Sequence, residues 1–279
     1  MLNKDIQDGL IEKGRAFLRG YHKNDPYAED FESDQDLKLP QPPLTKASIT
    51  DETRHIALSR DFTQIPMLHN LQQLFESRHS ARIYTQEEMS LEQLSFLLWS
   101  CQGIKSIRGK AYATLRTVPS GGARHPFETY LIVRKVTGLI PGVYHYLPMD
   151  HSLELLYEAD DLDEIITQSL CDQPWAAKAN VLFYWSVVPY RAEWRYGIYA
   201  HRTALMDAGH MAENLYLACT GIGLGCCAIA SFDDEICTEL LKLDGKEEFT
   251  VYVVPVGTVR SCDRVDEQSF YRFVEEEGL

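Results

Sequence analysis

The chain predicts a mixed α/β or α+β domain, on three observations. Runs rich in β-branched and aromatic residues, "TYLIVRKV" (129–136), "VLFYWSVVPY" (181–190) and "FTVYVVPVG" (249–257), have strand length, and such runs suit a pleated, half-buried surface. Segments with helical apolar spacing lie among them, the alternation expected of helices layered on a sheet. And 279 residues, 45% of them hydrophobic, suffice for one large core or a core with an appendage.

In chain order, Ile6, Leu10, Ile11, Phe17 and Leu18 make one short amphipathic helix. Residues 24–37, "NDPYAEDFESDQDL", hold six acids and no base and run into "LPQPPL". Uncompensated charge, low hydrophobicity and proline make that segment extended or irregular. Residues 1–65 therefore read as an N-terminal arm, and 66–279 as the folded domain. "SLEQ" (90–93) has the form of a capping box, with Ser90 capping and Gln93 reaching back. The stripe Leu91, Leu94, Leu97 and Leu98 follows it and stops at Gly103. "GVYHYLP" and "SLELLYE" pair as a hairpin across "MDH". Residues 199–219, with no proline and only Gly209 as a glycine, form a long helix, and "DEICTELLKL" (234–243) a shorter one.

The balance of 41 acids against 27 bases, net charge −14, argues against a nucleic-acid or anionic-membrane surface, both of which need broad positive potential. Anionic ligands then require local clusters of cations. The seven cysteines, Cys101, Cys171, Cys219, Cys226, Cys227, Cys237 and Cys262, are odd in number and lack CxxC spacing, so they read as small buried hydrophobes in a reducing compartment. Without an apolar leader or a run of 18 apolar residues, the expectation is a soluble, cytoplasmic protein.

Five segments carry candidate chemistry. In "RHSAR" (78–82), period-two alternation turns Arg78, Ser80 and Arg82 to one side. Two guanidiniums and a hydroxyl suit a phosphate; the same knot also serves as a solvated patch paired to Glu76, Glu87 and Glu88. In "RTVPSGGARHPFETYL" (116–131), two glycines after Pro119 and Ser120 let backbone approach a flat ligand, or make an ordinary turn before a strand. It is not GxSxG, so a hydrolase nucleophile at Ser120 gains little support. "GIGLGCCAIASFDD" (221–234) follows a helix rather than a strand and is not G-x-G-x-x-G, which argues against a dinucleotide fold. "RAEWRYGIYAHR" (191–202) gathers Arg191, Arg195, Arg202, Tyr196, Tyr199 and His201, as an anion or proton-relay site or as the charged start of a helix. In "DAGHMAEN", Asp207, His210 and Glu213 share a helical face; a di-iron site needs more ligands than this, so a histidine donating to one of the carboxylates is expected.

In this order, the segments resemble the FMN-dependent nitroreductase superfamily, and more narrowly its SagB-type branch, over residues from about 70 to 265. "SRHSAR" resembles the Arg-x-Ser-x-Arg/Lys element, "LSFLLWSCQGI" the leucine-rich helix, and "RTVPSGGARHPFETYL" the branch's Pro-Ser loop. "RYGIYAHRTALMDAGHMAENLYLACTGIGLG" is similar to the long central helix and "VVPVG" to the closing strand.

The resemblance implies an α+β nitroreductase-like fold, a mainly antiparallel central sheet flanked by helices, in a homodimer with FMN at its interface. It implies that Arg78, His79, Ser80 and Arg82 bind the FMN phosphate and ribityl chain, His79 mainly through its backbone, with Arg260 or Arg264 adding a further cation. Pro119, Ser120, Gly121 and Ala123 would line the isoalloxazine from the partner subunit, and Gly223, Leu224, Gly225, Ala230 and Ser231 would lie near the flavin edge. The implied activity is ping-pong hydride transfer: NADH- or NADPH-driven reduction of small electrophiles, or dehydrogenation of a peptide-derived or other small substrate. The branch's Lys-Tyr pair corresponds to Arg195 and Tyr196, and an arginine stays protonated and is no general base. A flavin-binding protein without turnover is the alternative.

Overall fold

The computed structural model describes residues 4–19, 31–85 and 87–260, together with Arg272 and Glu276. Helix α1 (Lys4–Arg19) has the amphipathic pattern expected of it and leaves Ile6, Leu10 and Leu18 more than half exposed. Strand β1 (His55–Ala57) belongs to the central sheet, so the arm adds an edge strand to the domain. Helix α2 (Leu71–Ser77), capped by the Asn70 side chain, ends where "RHSAR" begins. Helix α3 (Leu91–Gln102) opens with the Ser90–Gln93 capping box and buries Leu94, Leu97 and Leu98 completely.

Strands β2 (Ile104–Arg108) and β3 (Ala113–Arg116) form a separate two-stranded ribbon. Then follow β4 (Phe127–Val133), the hairpin β5 (Gly142–Leu147) and β6 (Ser152–Glu158), helix α4 (Asp163–Ser169) and β7 (Val181–Val187). Helices α5 (Tyr190–Tyr196) and α6 (Ala200–Gly221), strand β8 (Leu224–Cys226), helix α7 (Asp234–Leu241) and strand β9 (Phe249–Thr258) complete the order. The central sheet runs β1-β6-β5-β4-β7-β9-β8 with every paired neighbour antiparallel. That resolves the fold class as α+β.

Side-chain alternation splits the sheet into two cores. On one face Phe127, Leu131, Val133, Phe183 and Trp185 pack with α3 and with the alanines of α6, Ala204, Ala208 and Ala212. On the other, Ile132, Leu182 and Tyr184 meet α4 and α7 through Ile166, Leu240 and Leu241. The second face turns polar at the end where Glu128 and His145 lie. There His145 Nδ1 bonds Glu154 Oε1 (2.8 Å) and its Nε2 bonds Glu128 Oε2 (3.0 Å). Arg191 Nη2 reaches Glu128 Oε1 at 2.5 Å.

A buried carboxylate needs donors on every side, and the arm supplies them. Lys46 N donates to Glu128, and Lys46 Nζ donates to Tyr130 and Glu248. Ser48 Oγ, Ile49 N, Thr50 N and Thr50 Oγ1 all point at Glu154 Oε2. Burial alone would drive His145 neutral, but the two glutamates override it and raise its pKa. Residues 46–50 of the arm thus form a polar lid on this end of the sheet, held by charge and hydrogen bonds, while Ile56, Leu58 and Ile65 tie the arm to the apolar core.

Candidate active site

Two clusters of the sequence-selected residues emerge, both built on α6. In the first, residues 78–82 run beside β8: Ser80 bridges to Cys226, and Ala81 N donates to Cys226 O (2.9 Å). The close approach requires Gly225, where a Cβ would stand 2.6 Å from both Ala81 Cβ and Val259 Cγ1. Ser80 Oγ meets the Tyr216 hydroxyl at 3.1 Å, and the Arg78 guanidinium lies over the Tyr216 ring, 5.3 Å from its centroid. Arg78 and Ser80 therefore share a partner, as alternation predicts. Arg82 instead lies over Trp175 and donates back to Ser80 O.

Tyr216 OH also accepts from Ala228 N (2.8 Å), and burial pushes its pKa up to about 12, so it stays a neutral donor. Beside it is a cleft of about 360 Å³ lined by Ser77, His79, Tyr216, Thr220, Gly223–Cys226, Val259 and Arg260. Among the described residues no acid lines it, in a chain of net charge −14. His79 Nδ1 is bonded to Ser77 O. Ala230 and Ser231 are exposed beyond this lining. Arg264 and Cys262 lie outside the described residues.

The second cluster gathers around residues 119–123. Ser120 Oγ donates to Asp207 Oδ2 (2.6 Å), Gly121 N to Asp207 Oδ1 (3.1 Å), and His125 N to Ser120 Oγ (2.9 Å). The helical-face expectation for Asp207 is thereby corrected: it is engaged by the loop, and His210 bonds neither Asp207 nor Glu213. Burial raises the pKa of Asp207, while the two loop donors act against that. Gly122 adopts φ +57°, and a Cβ there would lie 2.6 Å from Tyr196 OH and 2.7 Å from Arg195 Cδ. The loop thus presses on both members of the Arg195–Tyr196 pair. Arg195 Nη1 donates to Tyr112 OH (2.7 Å) and to Gln35 Oε1 (3.2 Å), and Arg124 stacks on Tyr112 and Trp194.

The two clusters are apart within one chain. Asp207 and Tyr216 are nine residues from each other on α6, roughly 13 Å along its axis and on opposite sides of the helix at about 100° per residue. Sequence reasoning missed Tyr216, Asp207's loop contacts, Tyr112, Arg124 and Gln35. Among the described residues no group of three His, Cys, Asp or Glu side chains is arranged to hold a metal ion, and no helix is long and apolar enough to cross a membrane. The six described cysteines are free thiols, and only Cys171 is exposed.

Residues 75–258, which hold all of both clusters except Gln35, Val259 and Arg260, match the family model described as the nitroreductase family. The chain belongs to the nitroreductase family. This nitroreductase-family chain is 33% identical over 187 residues to the nitroreductase-family protein MJ1384 of Methanocaldococcus jannaschii, covering 67% of this chain and 90% of that one. It is 28% identical over 230 residues to the trifolitoxin-processing protein TfxB of Rhizobium leguminosarum bv. trifolii, covering 75% of this chain and 60% of TfxB. In structure it resembles a nitroreductase-family protein from Ralstonia eutropha JMP134, with TM-score 0.61 and 25% identity, over 80% of this chain and 100% of the other. The family makes the chain an oxidoreductase.

Proposed function

We propose that this oxidoreductase is FMN-dependent, works as a homodimer, and dehydrogenates a peptide-borne or other small substrate. The observation that carries the reading is the cleft lined by Tyr216, the shared partner of Arg78 and Ser80, with no acid in its lining among the described residues. The residues fit FMN: guanidinium and hydroxyl donors suit its phosphate, and the open backbone at Gly223, where a Cβ would meet nothing within 4 Å, leaves room beside it. Arg78, Ser80 and Arg82 would hold the phosphate end, with Arg260 adding charge. Bound there, FMN supplies hydride transfer at its N5, accepting from one substrate and donating to a second in turn.

The placement of Pro119–Ala123 on the opposite side of α6 from the cradle supports a site completed by a second subunit, whose loop would face this chain's cradle. In that loop Ser120 and Gly121 are fixed by Asp207, so the backbone is oriented before any ligand arrives. Tyr196 is the residue that takes or relays the substrate proton. Arg195, always cationic, positions Tyr196 and an anionic group. Residues 1–65 act as the arm and 66–279 as the flavin domain. The likeness to a trifolitoxin-processing protein supports a peptide among the substrates.

Purified protein is expected to be yellow, dimeric by light scattering, and bleached under argon by its reductant. Bleaching by NADH or NADPH assigns a reductase; bleaching by a peptide substrate alone assigns the dehydrogenase. A yellow protein that nothing reduces marks a non-catalytic flavin binder. Colourless protein that FMN cannot reconstitute, or a monomer holding flavin at full occupancy, overturns the reading.

A further inference from the structure

From Gln93 to Phe127 the chain has no acid and five bases, Lys105, Arg108, Lys110, Arg116 and Arg124. Arg116 and Arg124 are buried and bonded to Gln102, Thr114, Gly122 and Tyr112. The other three stand exposed on the β2–β3 ribbon and make no ion pair among the described residues. Exposed Ile107 and Leu115 are interleaved with them. Strand β2 pairs only with β3 among the described residues, so its outer edge offers unpaired backbone groups. The ribbon also adjoins the candidate active site at two points. Its turn delivers Tyr112 to Arg195, and β3 runs through Thr117 and Val118 into the Pro119–Ala123 loop.

We propose that this ribbon is a docking surface for an acidic, extended peptide segment, paired along the outer edge of β2 and held beside Arg195 and Tyr196. Its place as a substrate-binding surface rests on the peptide dehydrogenase reading above. A free strand edge recognises extended backbone through a ladder of hydrogen bonds, with alternate side chains read separately. Lys105, Arg108 and Lys110 supply the complementary charge, and Ile107 and Leu115 the apolar contacts. In a chain of net charge −14, an acidic peptide is repelled elsewhere and steered here. A nucleic-acid strand finds no exposed aromatic residue on the ribbon for its bases to stack on. Cations on a strand edge also guard against aggregation, but any charge serves that purpose, so reversing the charge separates the two roles.

The test uses the full-length, flavin-loaded protein and a fluorescein-labelled ten-residue peptide of alternating Glu and Val, read by fluorescence anisotropy. Saturable binding is expected, weakened by salt. It should weaken at least tenfold in the combined Lys105→Glu, Arg108→Glu, Lys110→Glu variant, with flavin content and thermal midpoint unchanged. A peptide methylated at alternate backbone nitrogens should also bind at least tenfold more weakly. No saturable binding, equal binding by the charge-reversed variant, or tighter binding of a labelled dodecathymidylate strand each overturns the proposal. The substrate reading fails separately: substrate peptides that bind through the ribbon, compete with the probe and are not oxidised leave the docking surface standing and remove the dehydrogenase.

Discussion

Replacing His145 by leucine tests whether charge anchors residues 46–50 of the arm on the sheet. His145 is 1% exposed and Glu154 0%, and His145 is the one ion-pair partner of Glu154 among the described residues. The leucine leaves Glu154 Oε1 and Glu128 Oε2 without their donors. Removing one partner of a buried ion pair costs about 3–5 kcal/mol. At roughly 2–4 °C per kcal/mol for a chain of this size, the melting temperature should fall by roughly 6–20 °C.

The pH dependence has a definite sign. His145 has a raised folded-state pKa, burial being outweighed by the two glutamates, so its contribution is full below the unfolded value of about 6.5 and fades as pH rises through the folded value. Urea unfolding of wild type and His145→Leu should therefore show the largest gap at pH 6 and a narrowing gap on the alkaline side. Amide exchange at Ile49 and Thr50, which donate to Glu154, should accelerate in the variant. A gap under about 1 kcal/mol at pH 6, or one that does not change with pH, refutes the charged-lid account.

Arg78→Ala should weaken FMN retention roughly ten- to hundredfold, the scale of one hydrogen bond to a charged group, measured as flavin absorbance after dialysis. Full retention removes Arg78 from the cradle. Gly122→Ala meets both a left-handed backbone and a Cβ 2.6 Å from Tyr196 OH; about 1–2 kcal/mol of stability should be lost in urea unfolding, and turnover should fall with it. Tyr196→Phe should lower kcat by about a hundredfold or more while the bound-flavin spectrum stays unchanged; unaltered kcat excludes Tyr196 from proton transfer.

Much of the scaffold was legible because its signals are local. The Ser90–Gln93 box, the hairpin across residues 148–151 and the run of α6 each follow from neighbours a few residues apart. The site was legible only in halves. Alternation assigns Arg78 and Ser80 one direction, but the side chain they meet, Tyr216, is 136 residues from Ser80. Spacing along α6 pairs Asp207 with His210, and it is silent about Ser120, 87 residues earlier, which takes that carboxylate. The arm carried a readable signal of a different kind. Glu128 and Glu154 sit inside strand runs, in "FETYL" and "SLELL", and a carboxylate on a buried strand face demands partners.

The same reasoning bears on substrate choice. The family match begins at residue 75, whereas Gln35, which bonds Arg195, and Phe31, which packs on Gly197, come from the arm. Gln35 N also donates to Trp194 O, and Trp194 Nε1 to Leu39 O, so residues 31–39 are tied along α5 at several points. These residues have no periodicity that a sequence reading can use, because they form neither helix nor strand. Their position is set by what they cover. The proposed flavin cradle thus comes from the matched span, apart from Val259 and Arg260 just past its end, while the surroundings of Arg195 are shared with a segment well before it. Exchanging residues 31–41 should accordingly alter KM and substrate preference and leave FMN retention untouched; loss of FMN on such an exchange refutes that division.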